Sequence, residues 1–346
     1  SIFSTSGLAA GMLFAGTAAV YKTITEQDGG SPETPAVIVN DTIISGTIVA
    51  GPVVAMNGLS VVVYDLSGNT LGNSKLDENG SFSVNVGNYT GGIVAKVIDE
   101  GAVLMAIDVI KDVGAEHVLN INALTTIAAV KVGLNAADGS GTVAGLTDTD
   151  KISAIETANA SVAKVFSITQ PLPEVTADAV INVDGSVNSN PNQLGKILAS
   201  LSGVDKSNNG DMTATINMVA ENITGIATND ASLNPAIQPI LLDGGVVAGV
   251  DRTDIAIILD PGAAQIATMD TSVLSVEELS ALSPAAVSVF SPEQVSALST
   301  TQLNALSVYQ VSSLDPSAIT GLTPETVASL SSSQLNALTA GQISAL

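Results

Sequence analysis

Apolar residues recur every eight positions through the last part of the chain. Residues 274–346 divide into nine octads and a final leucine. Each octad opens on Leu or Phe, has Ser, Thr or Asp second, and has Leu, Val or Ile sixth. Ser, Thr and Asp side chains cap helix N-termini. The Gln or Glu at the fifth position of six octads completes a capping box. The pattern therefore predicts one very short helix per octad.

Prolines exclude one continuous helix through these octads. Four of the octads carry proline at the third position, where it suits the first residue of a helix: Pro284, Pro292, Pro316 and Pro324. Inside a longer helix each would be destabilising by about 3 kcal/mol. A single octad cannot bury its own apolar side chains, so octads are expected to stack on one another. We predict a C-terminal solenoid over residues 263–346.

The pattern differs in the two preceding regions. Residues 36–122 hold short runs rich in Val and Ile, separated by turn signals such as DLSGN and DENG, which predicts a small antiparallel β-sandwich. Residues 123–262 carry apolar residues at helical spacing and are predicted to form a mainly helical domain, with residues 227–262 irregular and containing one or two strands. With residues 1–35 as an apolar segment and linker, the predicted fold is multidomain α+β.

Three stretches predict helices within that middle region, because each places apolar side chains on one face. They are Ile152, Ile155, Val162 and Phe166; Leu194, Ile197, Leu198 and Leu201; and Ile216, Val219, Ala220 and Ile223. Thr147 or Asp148 would cap the first of them.

Part of the β region resembles a known family. Residues 44–51 (ISGTIVAG) and 59–87 (LSVVVYDLSGNTLGNSKLDENGSFSVNVG) resemble the carboxypeptidase-regulatory, or transthyretin-like, sandwich of secreted bacterial proteins. The resemblance is carried by Gly46, Val61–Tyr64, Asp65, Gly68 and residues 77–82. It implies a non-catalytic spacer or adhesion module. Residues 121–133 (INALTTIAAVKVG) are similar to a stretch that follows such sandwiches in large bacterial surface proteins, with Ala123 where proline is usual.

The N-terminal segment is apolar and uncharged over residues 8–21 (LAAGMLFAGTAAVY). It is shorter than the roughly 20 residues that cross a bilayer, so no transmembrane span is predicted. Because the sequence begins at Ser1, we expect that it has been processed. Two interpretations stay open: a trimmed signal or buried element, or an exposed segment that completes a neighbouring copy by strand addition.

Composition narrows the function classes. The chain has no cysteine, which excludes thiol catalysis and zinc–thiolate sites. Its 10 Lys and Arg against 33 Asp and Glu give a net charge of −23, and residues 253–346 hold no Lys or Arg. Without cationic side chains no phosphate charge is neutralised, so nucleic acid is not an expected partner.

The candidate chemistry is sparse. Residues 205–211 follow the opening of a calcium loop, with oxygen ligands expected from Asp205, Ser207, Asn209 and Asp211. Position 12 of that loop is Ile216 where glutamate belongs, and an ordinary turn before a helix is the alternative. His117, the only histidine, is predicted to be structural or at the surface. No catalytic motif is present, so we predict that the chain is not an enzyme and needs no cofactor besides this calcium.

The predicted function is therefore structural. We expect an extracellular or cell-surface subunit that polymerises head to tail into a filament, sheath or matrix, since a contact that does not close on itself makes a filament. The alternative is a monomeric surface adhesin that grips a glycan or a cell-envelope partner, with the octads as a stalk. The predicted polymerisation interface comprises Phe3, Leu8, Met12, Leu13, Phe14, Val20, Tyr21, Leu338, Ile343 and Leu346.

Overall fold

The strands come first in the chain. The structure, a computed structural model, describes residues 41–50, 53–54, 59–99, 102–178, 188, 190–226 and 230–346. In chain order the first strands are β1 (Ile43–Ala50), β2 (Val53–Val54), β3 (Ser60–Asp65), β4 (Thr70–Lys75), β5 (Ser81–Asn85), β6 (Gly91–Asp99), β7 (Ala102–Ile110), β8 (Glu116–Val118) and β9 (Ile121–Asn122).

These strands form two sheets. One is antiparallel in the order β4-β3-β6-β7, and the other is built on β1. Strand β1 pairs antiparallel with β2 and β5 but parallel with β8 and β9. The prediction of a wholly antiparallel arrangement is therefore wrong for the last two strands. The chain leaves β7 in one sheet to enter β8 in the other, so no hairpin reverses its direction.

The turn signals of the β region lie where the sequence predicts them. Asp65 Oδ1 accepts hydrogen bonds from the backbone N–H groups of Ser67 and Asn69, and Asp77 makes the equivalent bonds in the next turn. Gly68 adopts a φ of 87°, a left-handed conformation that glycine reaches without strain. The first turn joins the paired strands β3 and β4, and the second carries the chain from β4 to β5 in the other sheet.

Helices dominate the next region. They are α1 (Ala123–Lys131), α2 (Asp148–Val165), α3 (Gln193–Ser207), α4 (Met212–Glu221), α5 (Gln238–Val247), α6 (Arg252–Leu259) and α7 (Ala263–Ile266), with a small antiparallel pair, β10 (Ile223–Thr224) and β11 (Ser232–Leu233), between α4 and α5. Single turns of 3-10 helix lie at Leu172–Glu174, Pro235–Ile237 and Thr271–Val273. The three helices predicted from periodicity are present as α2, α3 and α4, and Thr147 caps α2. Ile223 of the third pattern lies instead in β10, because α4 ends at Glu221.

The prediction for residues 227–262 is wrong in one respect. Strand β11 is present, but most of the described part is helical, as α5 and α6. Pro239 lies in the first turn of α5, where its missing N–H is not needed. Gly244 and Gly245 lie inside α5 because neighbouring atoms approach too closely for a side chain. The proline and the glycines that suggested irregular structure therefore belong to a helix.

Nine short helices follow, one per octad as predicted: α8 (Val276–Ala281), α9 (Pro284–Val287), α10 (Pro292–Ser296), α11 (Thr300–Ala305), α12 (Val308–Ser313), α13 (Pro316–Ile319), α14 (Pro324–Ser329), α15 (Ser332–Ala337) and α16 (Ala340–Ala345). The second residue of every octad accepts a hydrogen bond from its own helix N-terminus. Within this array each helix packs against the helix three octads before it and the helix three octads after it, where these exist, and we call three successive octads one turn. We call this array the octad stack.

Two hydrophobic cores hold the molecule together. The larger extends from Ile44 to Ala285 and contains side chains from both sheets and from α1 to α6. It continues across the predicted boundary between residues 122 and 123. The smaller core, from Leu279 to Ile319, belongs to the octad stack. The chain is thus a mixed α+β protein, with antiparallel sheets followed by a region of many short helices.

Candidate interaction sites

Buried glutamines connect the turns of the octad stack. Gln310 is 1% exposed. Its Oε1 accepts a hydrogen bond from the N–H of Ser307, the cap of its own helix, at 2.7 Å. Its Nε2 donates to the carbonyls of Leu279 and Leu282, at 2.7 and 2.9 Å. The last carbonyls of a helix have no partner within that helix. Gln310 therefore caps the start of α12 and the end of α8 together.

Four further octads repeat this arrangement. Each glutamine binds its own cap residue through Oε1 and donates two Nε2 bonds to carbonyls 25 to 31 residues earlier: Gln294 to Ile266 and Met269, Gln302 to Ser272 and Leu274, Gln334 to Leu303 and Leu306, and Gln342 to Val311 and Leu314. We call the five residues the glutamine ladder. Through these hydrogen bonds the polar side chains of the repeat hold successive turns of the stack together.

Four octads have another residue at this position, Glu278, Ala286, Ala318 and Thr326, and the first two lie where the array begins. Glu278 lies in the first octad and only caps its own helix. Ala286 lies in α9, where Gln238 of α5 and Asp260 supply the polar contacts by bonding Ala285 N–H and the Ser283 hydroxyl. These contacts also attach the octad stack to the helical region before it.

The last turn of the octad stack exposes what the earlier turns bury. The sixth residue of the first six octads is at most 3% exposed: Leu279, Val287, Val295, Leu303, Val311 and Ile319. In the last three octads Val327 is half-buried, Leu335 is 40% exposed and Ile343 is 58% exposed. Leu346 is 55% exposed, whereas Leu338 is half-buried against the stack core. The last turn therefore presents an apolar face.

A second candidate site begins at the edge of the four-stranded sheet. An edge strand offers unpaired backbone groups, and side chains of two helices bond three of those of β7. Thr126 Oγ1 accepts from Met105 N–H at 2.9 Å, and Thr125 Oγ1 donates to the Met105 carbonyl at 2.8 Å. Further along, Asn159 Nδ2 donates to the Ile107 carbonyl at 2.8 Å. Side-chain hydrogen bonds thus take the place of a further strand.

The edge of β7 is open beyond Ile107, the residue whose carbonyl Asn159 binds. Backbone groups of an antiparallel strand point alternately toward and away from the partner strand, and those of Met105 and Ile107 point away from β6. Val109 follows the same alternation, and no residue in the described ranges bonds its backbone on that side. Asn159 is 7% exposed, and its Oδ1 has no partner among the described residues. The protected part of the edge therefore ends at Asn159.

Val109 lines a groove of about 1050 Å³. The groove lies between the end of β7, the side chains of α2 and residues 167–174, and we call it the β7 groove. Small and apolar side chains form much of its wall: Ala160, Ala163, Ile168, Leu172 and Pro173. Its volume is at the upper end of the range of ligand pockets.

Most charges around the β7 groove are paired. Lys111 Nζ lies 2.9 Å from Glu156 Oε1, and His117 Nε2 lies 2.9 Å from Asp108 Oδ2. His117 is half-buried in β8, so the structure places this histidine at the rim of a groove, which its sequence context did not indicate. No phenylalanine, tyrosine or tryptophan is among the described residues that line the groove.

The predicted calcium ligands do not form a loop. Asp205 and Ser207 lie in the last turn of α3, and the Ser207 hydroxyl donates to the Gly203 carbonyl at 3.0 Å. Asn209 has a left-handed φ of 62°. Asp211 caps α4 by accepting from Ala214 N–H at 2.9 Å. The described residues bring no three Asp, Glu or His side chains together for a metal, and calcium binding stays a prediction.

Asp205 has a buried carboxyl group whose ionised form is disfavoured. Its side chain is 6% exposed, and its Oδ1 has no partner in the described part of the chain. Burial and the nearby charge of Asp211 raise the pKa of this carboxyl above its usual value of 3.8. The protonated form is favoured by folding, so the associated stability is present below pH 3.8 and is lost as pH rises through the folded-state pKa.

Replacing Asp205 by Asn tests this assignment. At pH 7 the variant D205N should unfold at a higher urea concentration than the wild type, because it removes a buried charge and keeps the shape. The difference should disappear below about pH 4. The exposed D112N variant is the control and should change stability by less than about 0.5 kcal/mol at either pH. A loss of stability at pH 7 would show that the carboxylate is stabilising, as a ligand of calcium would be.

The predicted polymerisation residues fall into two groups. Phe3, Leu8, Met12, Leu13, Phe14, Val20 and Tyr21 lie outside the described residues. Leu338 and Ile343 lie in the last octad and Leu346 follows it; Ile343 and Leu346 are exposed, whereas Leu338 is half-buried. Among the described helices, none is long and apolar enough to cross a bilayer.

Comparison with known proteins identifies no relative. The resemblance to the transthyretin-like sandwich therefore stays a prediction from residues 44–87. The chain matches no protein-family model and no curated protein.

Proposed function

We propose that this chain is an extracellular structural protein, a subunit that assembles with copies of itself into a surface filament, sheath or matrix. Its parts would be a β-sandwich, a helical region and an octad solenoid. Two contacts would join copies: the apolar N-terminal segment, acting on a neighbour, and the last turn of the octad stack. We assign it no catalytic role.

The apolar face of the last octad turn carries this proposal. Exposed apolar clusters on a soluble protein mark interaction surfaces, and this one repeats the row of side chains that earlier turns bury completely. The carbonyls of Leu335 and Leu338 stand at the same octad positions as the carbonyl pairs that Gln310, Gln334 and Gln342 cap in earlier octads. The exposed apolar side chains of this face favour a partner helix of the same kind.

The glutamine ladder supports a structural rather than a chemical role. Every serine cap and every ladder glutamine is hydrogen-bonded within the stack, so the recurrent polar side chains are engaged in cohesion. Such a stack is a rigid spacer whose stability grows with the number of neighbouring contacts. The resemblance of residues 44–87 to modules of secreted proteins supports the extracellular location.

Self-association through the last turn is testable by sedimentation velocity and light scattering over a concentration series. The wild type should form species that grow with concentration. The I343E variant should lose the octad contact, because a carboxylate would be buried without a partner. The V273E variant is the matched control, since Val273 is 72% exposed outside the last turn. A wild type that stays monomeric throughout would contradict the proposal.

The second candidate function is a monomeric surface adhesin. The β7 groove favours it, because an open sheet edge within a large groove can receive an extended ligand. The absence of aromatic side chains among the described groove residues argues against a glycan, which packs on aromatic rings. This candidate predicts one monodisperse species in the same sedimentation experiment.

A further inference from the structure

We infer that the β7 groove is the docking site for residues 8–21 of a second copy, which enter as an extended strand beside β7. This inference rests on the proposed self-assembly and identifies the surface that receives the N-terminal segment. Three independent features of the described residues support it: the open sheet edge, the shape and chemistry of the groove wall, and the pairing of its charges.

The open edge supplies the main-chain contacts. Thr125, Thr126 and Asn159 occupy both backbone groups of Met105 and the carbonyl of Ile107. At Val109 the N–H and the carbonyl point toward the groove without a partner in the described ranges. An added strand hydrogen-bonds to such an edge and places alternate side chains in pockets. The added strand would run beside β7 from the position of Asn159 toward Ile110, the last residue of β7.

The groove wall matches a segment of small residues. Ala160 and Ala163 of α2 leave room beside β7, and Ile168 and Leu172 give the opposite wall an apolar surface. Residues 8–21 contain five alanines and two glycines among larger side chains such as Met12 and Phe14. Small residues allow a backbone to approach closely, and the larger ones fill the remaining volume.

Charge pairing favours an uncharged occupant. Lys111 pairs with Glu156, Lys164 lies 3.6 Å from Asp230, and Asp108 is hydrogen-bonded with His117. An anionic occupant would meet the unpaired carboxylates of Asp112 and Glu174, while a neutral segment avoids burying charge. Residues 8–21 carry no charge, and the following Lys22 suits an acidic rim.

Groove filling tests the inference on the full-length chain. Ala160 is exposed on α2, so an A160W variant should fold normally and block the groove. It should raise the concentration needed for assembly by at least about tenfold, which is a loss of about 1.4 kcal/mol. A214W, on the exposed face of α4 away from the groove, is the matched control and should assemble like the wild type.

Disulfide trapping then locates the occupant. The chain has no cysteine, so an A160C chain mixed with chains that carry one cysteine within residues 8–21 reports only the designed contact. Cross-links should form between copies with A160C and not with A214C. A chain that carries both cysteines should also cross-link to other copies; if it cross-links only within itself, the inference is overturned, because the occupant is then the chain's own segment.

The two proposals fail differently. If the wild type and A160W assemble alike and no cross-link forms, the groove inference is wrong and self-assembly stands. If cross-links join copies in pairs while no larger species appear, the groove inference stands and the filament proposal is wrong. If neither assembly nor cross-links are observed, both are wrong.

Discussion

Replacing Gly203 by Ala should destabilise the helical region by about 2 kcal/mol. A Cβ at this position would lie 1.9 Å from the carbonyl oxygen of Gly244, so α3 and α5 would have to move apart. Overpacking of this kind destabilises a core by about 3 kcal/mol, and the better helix propensity of alanine offsets about 1 kcal/mol. The same contact is held by the buried Ser200 hydroxyl, which donates to the Leu241 carbonyl at 2.5 Å.

Gly341 provides the matched control for that prediction. It also lies in a helix, α16, but it is exposed, and its nearest neighbour for a Cβ is a proline ring atom at 3.3 Å. G341A should therefore change the free energy of unfolding by less than about 0.5 kcal/mol. Urea unfolding followed by circular dichroism compares the two. Equal stability of G203A and G341A would show that α3 and α5 do not touch through their backbones.

Replacing Gln310 by Ala should loosen the octad stack by about 3 kcal/mol. The change leaves the Leu282 carbonyl and the Ser307 N–H without a partner in a buried site, and the Leu279 carbonyl keeps only its bond from Leu282 N–H. Each unsatisfied buried polar group is destabilising by about 1–3 kcal/mol. Amide hydrogen exchange should rise in residues 274–346 and stay unchanged in residues 102–178, because the stack has its own core.

The Q310E variant separates the donor role of the amide from its size. A carboxylate can still accept from Ser307 but has no hydrogen to give to the two carbonyls, and it is repelled by them. Q310E should therefore be at least as destabilising as Q310A. The exposed Q265A variant is the control and should behave like the wild type. Normal exchange protection in Q310E would contradict the capping role of the glutamine ladder.

The octad helices were predictable because their signals are local. Each octad carries its own cap, first-turn residue and apolar staple, and the observed helices begin where these lie. The cross-turn role of the glutamines is not local, since Gln310 and Leu279 are 31 residues apart. The one available signal was the use of Glu278 in the first octad and glutamine in later ones, because only an amide can donate.

The groove was not predictable for the same physical reason. Thr125, Thr126 and Asn159 look like ordinary helical residues in the sequence, and their bonds to β7 depend on how α1 and α2 pack on the sheet. The calcium pattern at residues 205–211 failed to predict a loop because helix α3 continues through Ser207. The glycines of α5 suggested irregular structure because close helix packing leaves no periodic signal.

Electron microscopy of the full-length wild type beside its F14D and I343E variants tests the proposed self-assembly most directly. We predict filaments or sheets for the wild type. F14D should stop growth by placing a charge in the segment that docks in the β7 groove, and I343E should remove the contact between octad faces. Dispersed single particles for the wild type, at concentrations where all three chains are folded, would contradict the account and favour the adhesin.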